Sequence, residues 1–266
     1  MAHGEDELGY SRHSCDLGPS ADDTFANDLF GNKKFDYILA NPPFNLEDWG
    51  QPALQDDIRW QYGIPPATNA NFAWIQHMIH HLAPNGRIGL VLANGALKSM
   101  TGGEDEIRKN IVDADLVEGI VALPGQLFYS TPIPVSLWFI TKTKRTPGKT
   151  LFVDARGLGH MEDRTHKDFS PEDIAKIAAT FESFRAGDFV PEAGFSAEAT
   201  QEEISDHKYI LTPGIYVGLP EEEDEEEPFG QRMSRLTSEV SSMFSENSRL
   251  EQSIREQLSA IGFPVA

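Results

Sequence analysis

The sequence predicts an α/β fold, a mostly parallel sheet with helices on both faces. Short apolar runs, several rich in Ile, Leu and Val, recur from Phe35 to Asp154, and segments with apolar residues at helical spacing lie between them. In such a sheet, ligands bind beyond the carboxyl ends of the strands.

Phe35 to Ala40 is a short apolar run bounded by Lys33-Lys34 and by Pro42-Pro43, which predicts a buried strand. From Asn71, the residues Phe72, Ile75, Met78, Ile79 and Leu82 recur at helical spacing, and Pro84-Asn85-Gly86 ends that helix. Arg87 to Ala93 reads as a second strand, and Glu104 to Ile111 as a short helix after the Gly102-Gly103 turn. Leu116 to Leu123 and Val135 to Thr141 are a third and a fourth strand. The basic stretch Lys142 to Lys149 is a turn, Leu151 to Asp154 a further strand, and Pro171 to Phe184 a helix with Ser170 as its cap. Tyr209 to Val217 carries a Thr-Pro-Gly turn. Glu221 to Glu227 is an unbroken acidic run, the pattern of a solvated linker. Beyond it, Met233, Leu236, Val240, Met243, Leu250, Ile254 and Ile261 form a near-heptad stripe, with Asn247 at one of its apolar positions. That predicts a long amphipathic helix that either folds back on the domain or, the favoured reading, docks on a partner helix.

The composition narrows the functions available. A chain of 266 residues is long enough for one sizeable α/β domain with appendages. Its formal net charge of -20 is the wrong sign for gripping nucleic acid unaided through phosphate neutralisation. The single cysteine, Cys15, excludes an internal disulfide framework and a Cys-rich zinc site, which suits a reducing cytoplasm. No apolar run approaches membrane-spanning length, and Met1 to Tyr10 is polar and acidic rather than signal-like.

Asn41-Pro42-Pro43-Phe44 follows directly on the first strand. These residues present an amide, a carbonyl whose direction two prolines fix, and an aromatic ring. An exocyclic amino group of a base is a poor nucleophile, because its lone pair is delocalised into the ring. Two acceptors on its two protons draw it out of plane, and the Asn41 side-chain oxygen and the Pro42 carbonyl are such acceptors. Phe44 would stack on the base, returning about 1–3 kcal/mol of the cost of flipping it from a duplex. Read alone, the four residues fit either this chemistry or a plain proline turn.

The ordered set of segments resembles the methyltransferase (modification) subunit of type I restriction-modification systems, a family of N6-adenine DNA methyltransferases. The likeness is carried by Asp23-Thr24, by Phe35 through Asn45 and by Asn71-Phe72-Ala73-Trp74-Ile75-Gln76-His77. It continues through Gly86-Arg87, Ile107-Arg108-Lys109, Leu123-Pro124, Leu127-Phe128-Tyr129, Ile133-Pro134, Leu211-Thr212-Pro213-Gly214 and Tyr216-Val217. The resemblance implies a Rossmann-like class I methyltransferase sheet and S-adenosylmethionine as methyl donor. It implies catalytic roles for Asn41, Pro42 and Phe44, with Pro43 shaping the turn, and a place for Asp23 beside the donor's adenine. It also implies DNA as substrate through an assembled complex, a specificity subunit on the C-terminal helix, and a place for a restriction subunit. The corresponding regions are a partial catalytic domain at 1–150, its α/β extension at 151–218, an acidic linker at 219–230 and a docking helix at 231–266.

In the family a glycine-rich donor-binding loop precedes the position of Asp23, whereas only Met1 to Asp22 precede it here. The chain is therefore expected to be an N-terminally truncated subunit, its first strands missing and the Phe35–Ala40 strand left as an uncovered apolar edge. An upstream fragment would then supply the donor half of the site. The competing reading is a remnant that keeps only the assembly surface, and a more distant one is methylation of protein glutamine or of RNA bases.

Two further constellations have plainer readings. His77 and His81 share a helical face at a spacing compatible with zinc, with His80 beside them, but solvated or capping histidines are expected. Gly102-Gly103 before a helix reads as a turn rather than an anion cradle, because Glu104-Asp105-Glu106 follows it. Asn71 is expected either to cap its helix or to lie near the target base.

Overall fold

The computed structural model describes residues 23–128, 132–219, 229–260 and 263. The acidic run at 221–227, Cys15, Tyr129 and the N-terminal stretch lie outside them. The chain divides into two compact units, residues 1–220 and 221–266.

Among the described residues the first unit holds eight strands: β1 (Phe35–Ala40), β2 (Leu82–Ala93), β3 (Val117–Ala122), β4 (Val135–Thr141), β5 (Lys149–Asp154), β6 (His160–Met161), β7 (Lys167–Asp168) and β8 (Ser196–Thr200). Its helices are α1 (Asn71–His81), α2 (Glu104–Asp113), α3 (Pro171–Ala186) and α4 (Gln201–Asp206). Six strands form one sheet in the order β1-β2-β4-β3-β5-β8, while β6 and β7 pair separately. β1 runs parallel to β2, and β3 parallel to β5. β4 runs antiparallel to both β2 and β3, and β8 antiparallel to β5. The expected parallel arrangement thus holds for β1, β2, β3 and β5, and β4 and β8 depart from it. For β4 the reason lies in its connection: no helix lies among the described residues between Ala122 and Val135, and parallel return needs a crossover, usually helical.

Both faces carry helices. On one, Ile88, Leu90, Trp138 and Ile140 pack with Phe72 and Ile75 of α1 and Ile107 and Ile111 of α2. On the other, α3 lays Phe181 and Phe184 against Val121, Leu151 and Val153. Gly119 makes the close approach possible, since a Cβ there would sit 2.7 Å from the Phe181 ring. The cap of α3 is the expected Ser170, in a reciprocal box with Asp173. A second such box, Thr200 with Glu203, starts α4.

β1 is an edge strand, paired among the described residues with β2 alone. Its outward side chains are strongly exposed, Tyr37 at 73% and Leu39 at 85%. Groove-like cavities flank this edge on both sides: one of about 240 Å³ against Phe30, Phe35, Met78 and His81, and one of about 430 Å³ described below.

The second unit is the single helix α5 (Phe229–Ala260). Met233, Leu236, Val240, Met243, Leu250 and Ile254 are exposed along it. Its polar side is laced by Arg235–Glu239, Arg249–Glu246 and Arg255–Glu251 pairs at 3.0, 2.6 and 2.8 Å. No helix among the described residues is long and apolar enough to cross a membrane.

Candidate active site

β1 stops where its hydrogen bonding must stop. Ala40 is the last residue in register, opposite Leu90, and Pro42 and Pro43 have no N–H to continue the ladder. Asn41 to Phe44 therefore leaves the sheet at the carboxyl end of the strand, where this architecture places ligands. Asn41 is exposed, and its amide makes no hydrogen bond among the described residues. Pro42 is buried and Pro43 exposed, so the first proline anchors the turn. Phe44 is half-buried with its ring edge-on to Phe128, centroids 6.2 Å apart at 74°.

Beside Asn41 lies the larger cavity, lined by Leu39, Ala40, Gly89, Val91, Leu137 and Phe139 as well as Asn41 itself. It is an apolar wall with one amide at its end. Asn94, just past the carboxyl end of β2, has a buried side-chain oxygen without a partner. From the sequence, Asn94 has no assigned role and Phe128 only a place in the family resemblance. Phe128 falls in an irregular stretch with no periodicity, and the significance of Asn94 depends on β1 and β2 being neighbours.

Asp23 lies apart from this loop in sequence and is exposed. One of its carboxylate oxygens accepts from the Phe25 and Ala26 N–H groups, both at 2.9 Å, which closes a local turn. Phe25 then enters an aromatic cluster, 5.0 Å from Trp49 and 4.3 Å from Trp74. Trp49 also donates to the Pro66 carbonyl at 2.9 Å, so the cluster ties the segment after the Asn41–Phe44 loop to the start of α1.

The histidines differ from the expectation. His77 and His81 are buried rather than solvated, and Asp28 joins them within 4.8 Å. His81 Nδ1 donates to the Lys33 carbonyl at 2.9 Å, and its Nε2 meets Asp28 at 3.0 Å. Arg59 donates to His77 Nδ1 at 3.0 Å, because a guanidinium has no acceptor. Burial, with the neighbouring charges of His81 and Arg59, pushes the His77 imidazole down to about 4. The Arg59 charge beside His77 opposes a cation among these groups, and their contacts pack α1 on the preceding segment. Gly102 and Gly103 both adopt left-handed φ, 62° and 84°, making the plain turn expected before α2.

A solved methyltransferase subunit of a type I restriction-modification system from Streptococcus thermophilus superposes with a TM-score of 0.67 at 27% identity. It covers 74% of this chain and 41% of its own. The type I restriction enzyme EcoKI M protein shares the fold at a TM-score of 0.59 and 16% identity, over 87% of this chain and 52% of its own. The sheet thus shares the fold of these methyltransferase subunits. The family model described as N-6 DNA Methylase matches residues 13–225. The chain belongs to that family. It is 48% identical to the type I restriction enzyme HindI methylase subunit of Haemophilus influenzae over 93% of its length. It is 43% identical to the MjaIX methylase subunit of Methanocaldococcus jannaschii over 91%. It spans about half the length of these curated relatives, 56% and 45%.

Proposed function

We propose that this chain carries the target-base side of a site that methylates adenine N6 in DNA, as the modification subunit of a type I restriction-modification complex. The observation that carries the reading is the loop at the end of β1: a free Asn41 amide, a buried Pro42 fixing its carbonyl, and the Phe44 ring beside Phe128. Phe44 takes one face of a flipped adenine. Asn41 and the Pro42 carbonyl accept from the two N6 protons, turning the nitrogen lone pair out of the ring plane. Orientation supplies most of the acceleration, and the proton leaves to solvent after transfer, when the nitrogen is acidic. No strong general base is required.

S-adenosylmethionine would supply the electrophilic methyl group. The described residues fit that donor only in part. The wall beside Asn41 offers apolar surface, and Asp23 offers one carboxylate oxygen not already bound to backbone. Its ribose and methionine ends need polar groups beyond these. Groups outside the described residues would provide them. A specificity subunit on the α5 stripe, with or without a restriction subunit, would deliver the DNA, which suits a chain of net charge -20.

The test is methyl transfer to N6 of adenine by the complex assembled with its specificity subunit and an upstream fragment. Asn41→Ala should abolish transfer while donor binding, read by calorimetry, persists. Loss of donor binding alone would move Asn41 to the donor site. Absence of transfer and of donor binding in every pairing would leave only an assembly role.

A further inference from the structure

We infer that Asn71 is a positioning residue for the transfer proposed above, acting through Asn45 on the loop that carries Asn41 and Phe44; the inference rests on that reading of the site. Asn71 is the first residue of α1, and the cap position before it is Ala70, which has no capping side chain. The Asn71 amide is therefore not spent on its own helix. Its oxygen accepts from the Asn45 backbone N–H at 3.2 Å, and its nitrogen donates to the Asn45 side-chain oxygen at 2.9 Å. One planar amide thus grips both the peptide and the side chain of a single residue 26 positions earlier.

The gripped residue is the one that follows Phe44. Asn45 sits at φ 51°, a left-handed conformation that residues other than glycine rarely adopt without support. Asn69 supplies more of that support. Its nitrogen reaches the Asn45 side-chain oxygen at 3.3 Å, and its own oxygen accepts from the Asn71 N–H at 2.9 Å. The Ala70 N–H donates to the Leu46 carbonyl at 2.9 Å, extending the stitch by one residue. Asn71 itself is 1% exposed, so its amide cannot turn to water instead. The exit of the catalytic loop is consequently fixed from α1, and with it the backbone from which the Phe44 ring projects. A helix cap would need none of these contacts.

The complex used for the methylation test reads this out. Asn71→Ala should lower kcat about 100-fold, the scale of a small misplacement of reacting groups, with donor affinity and Tm close to wild type. Amide hydrogen exchange at Asn45 should accelerate. Asn71→Asp sets a carboxylate against the Asn45 oxygen, and adding Asn45→Gly removes that oxygen while accepting positive φ. The double variant should therefore recover activity over Asn71→Asp alone. Wild-type kcat in Asn71→Ala, or a loss that follows Tm and is not recovered, would overturn the inference and leave the proposed function standing. A wild-type complex that transfers no methyl group would overturn both.

Discussion

Lowering the pH from 7 to 4 should cost the methylase unit about 3 kcal/mol of stability through His77 alone. His77 is 6% exposed on α1, faced by Arg59 from the preceding segment, by Asp28, and by His80 and His81 on its own helix. Burial is the largest cause of its depressed basicity, followed by the positive neighbours His81 and Arg59, against which Asp28 acts weakly. The imidazole falls from 6.5 to about 4 in the folded chain. Unfolded chains therefore bind more protons than folded ones between those values, and stability rises with pH across the window. The contribution is complete above pH 6.5 and gone below about 4; at about 1.4 kcal/mol per unit it amounts to about 3 kcal/mol. The assay is urea unfolding at half-unit intervals from pH 7.5 to 4, with His77→Gln in parallel to keep an acceptor for Arg59 and remove the titration. The difference between wild type and variant isolates His77 from the carboxylates. It should shrink by about 3 kcal/mol as the pH falls, because the wild type alone must charge a buried ring. Parallel curves would refute the reasoning.

Three other outcomes follow from particular contacts. Leu39→Lys at the exposed β1 edge should suppress self-association and dye binding by exposed apolar surface, at a stability cost within about 0.5 kcal/mol, as read by light scattering and melting. Glu118 is buried between Arg87 and Arg185 at 2.8 and 2.6 Å, so Glu118→Ala should cost about 3–5 kcal/mol in chemical denaturation by stranding two guanidinium groups. Leu250→Glu on the α5 stripe should abolish co-purification with the specificity subunit, while the melt of the 1–220 unit stays in place.

Much of the fold was legible because local patterns agreed with it. The apolar runs marked β1 to β5, although β1 is a largely exposed edge rather than the buried strand expected, Ser170 marked the start of α3, and the stripe marked α5. β8 escaped notice because Ser196–Thr200 is a short, mostly small and polar edge strand, with little side chain to mark it. The direction of β4 could be read only by noticing that no helix precedes it. At the site, Asn41 to Phe44 stood out because two prolines after an apolar run are rare in a sheet. Asn45 and Phe128 enter the family resemblance, but the contacts they make were not legible, since asparagines and aromatics in irregular segments carry no periodicity.

The sequence by itself determined the α/β class and which polar groups the Asn41–Phe44 loop can offer, because both rest on contacts between residues close along the chain or on groups whose valence is fixed. Only the tertiary structure decided that Asn71 spends its amide on Asn45, that Phe44 faces Phe128, and that Asp28, His77 and His81 meet in a buried cluster beside Arg59. Those are meetings between distant segments. They are fixed by how α1 and the strand ends pack, and no spacing along the chain encodes them.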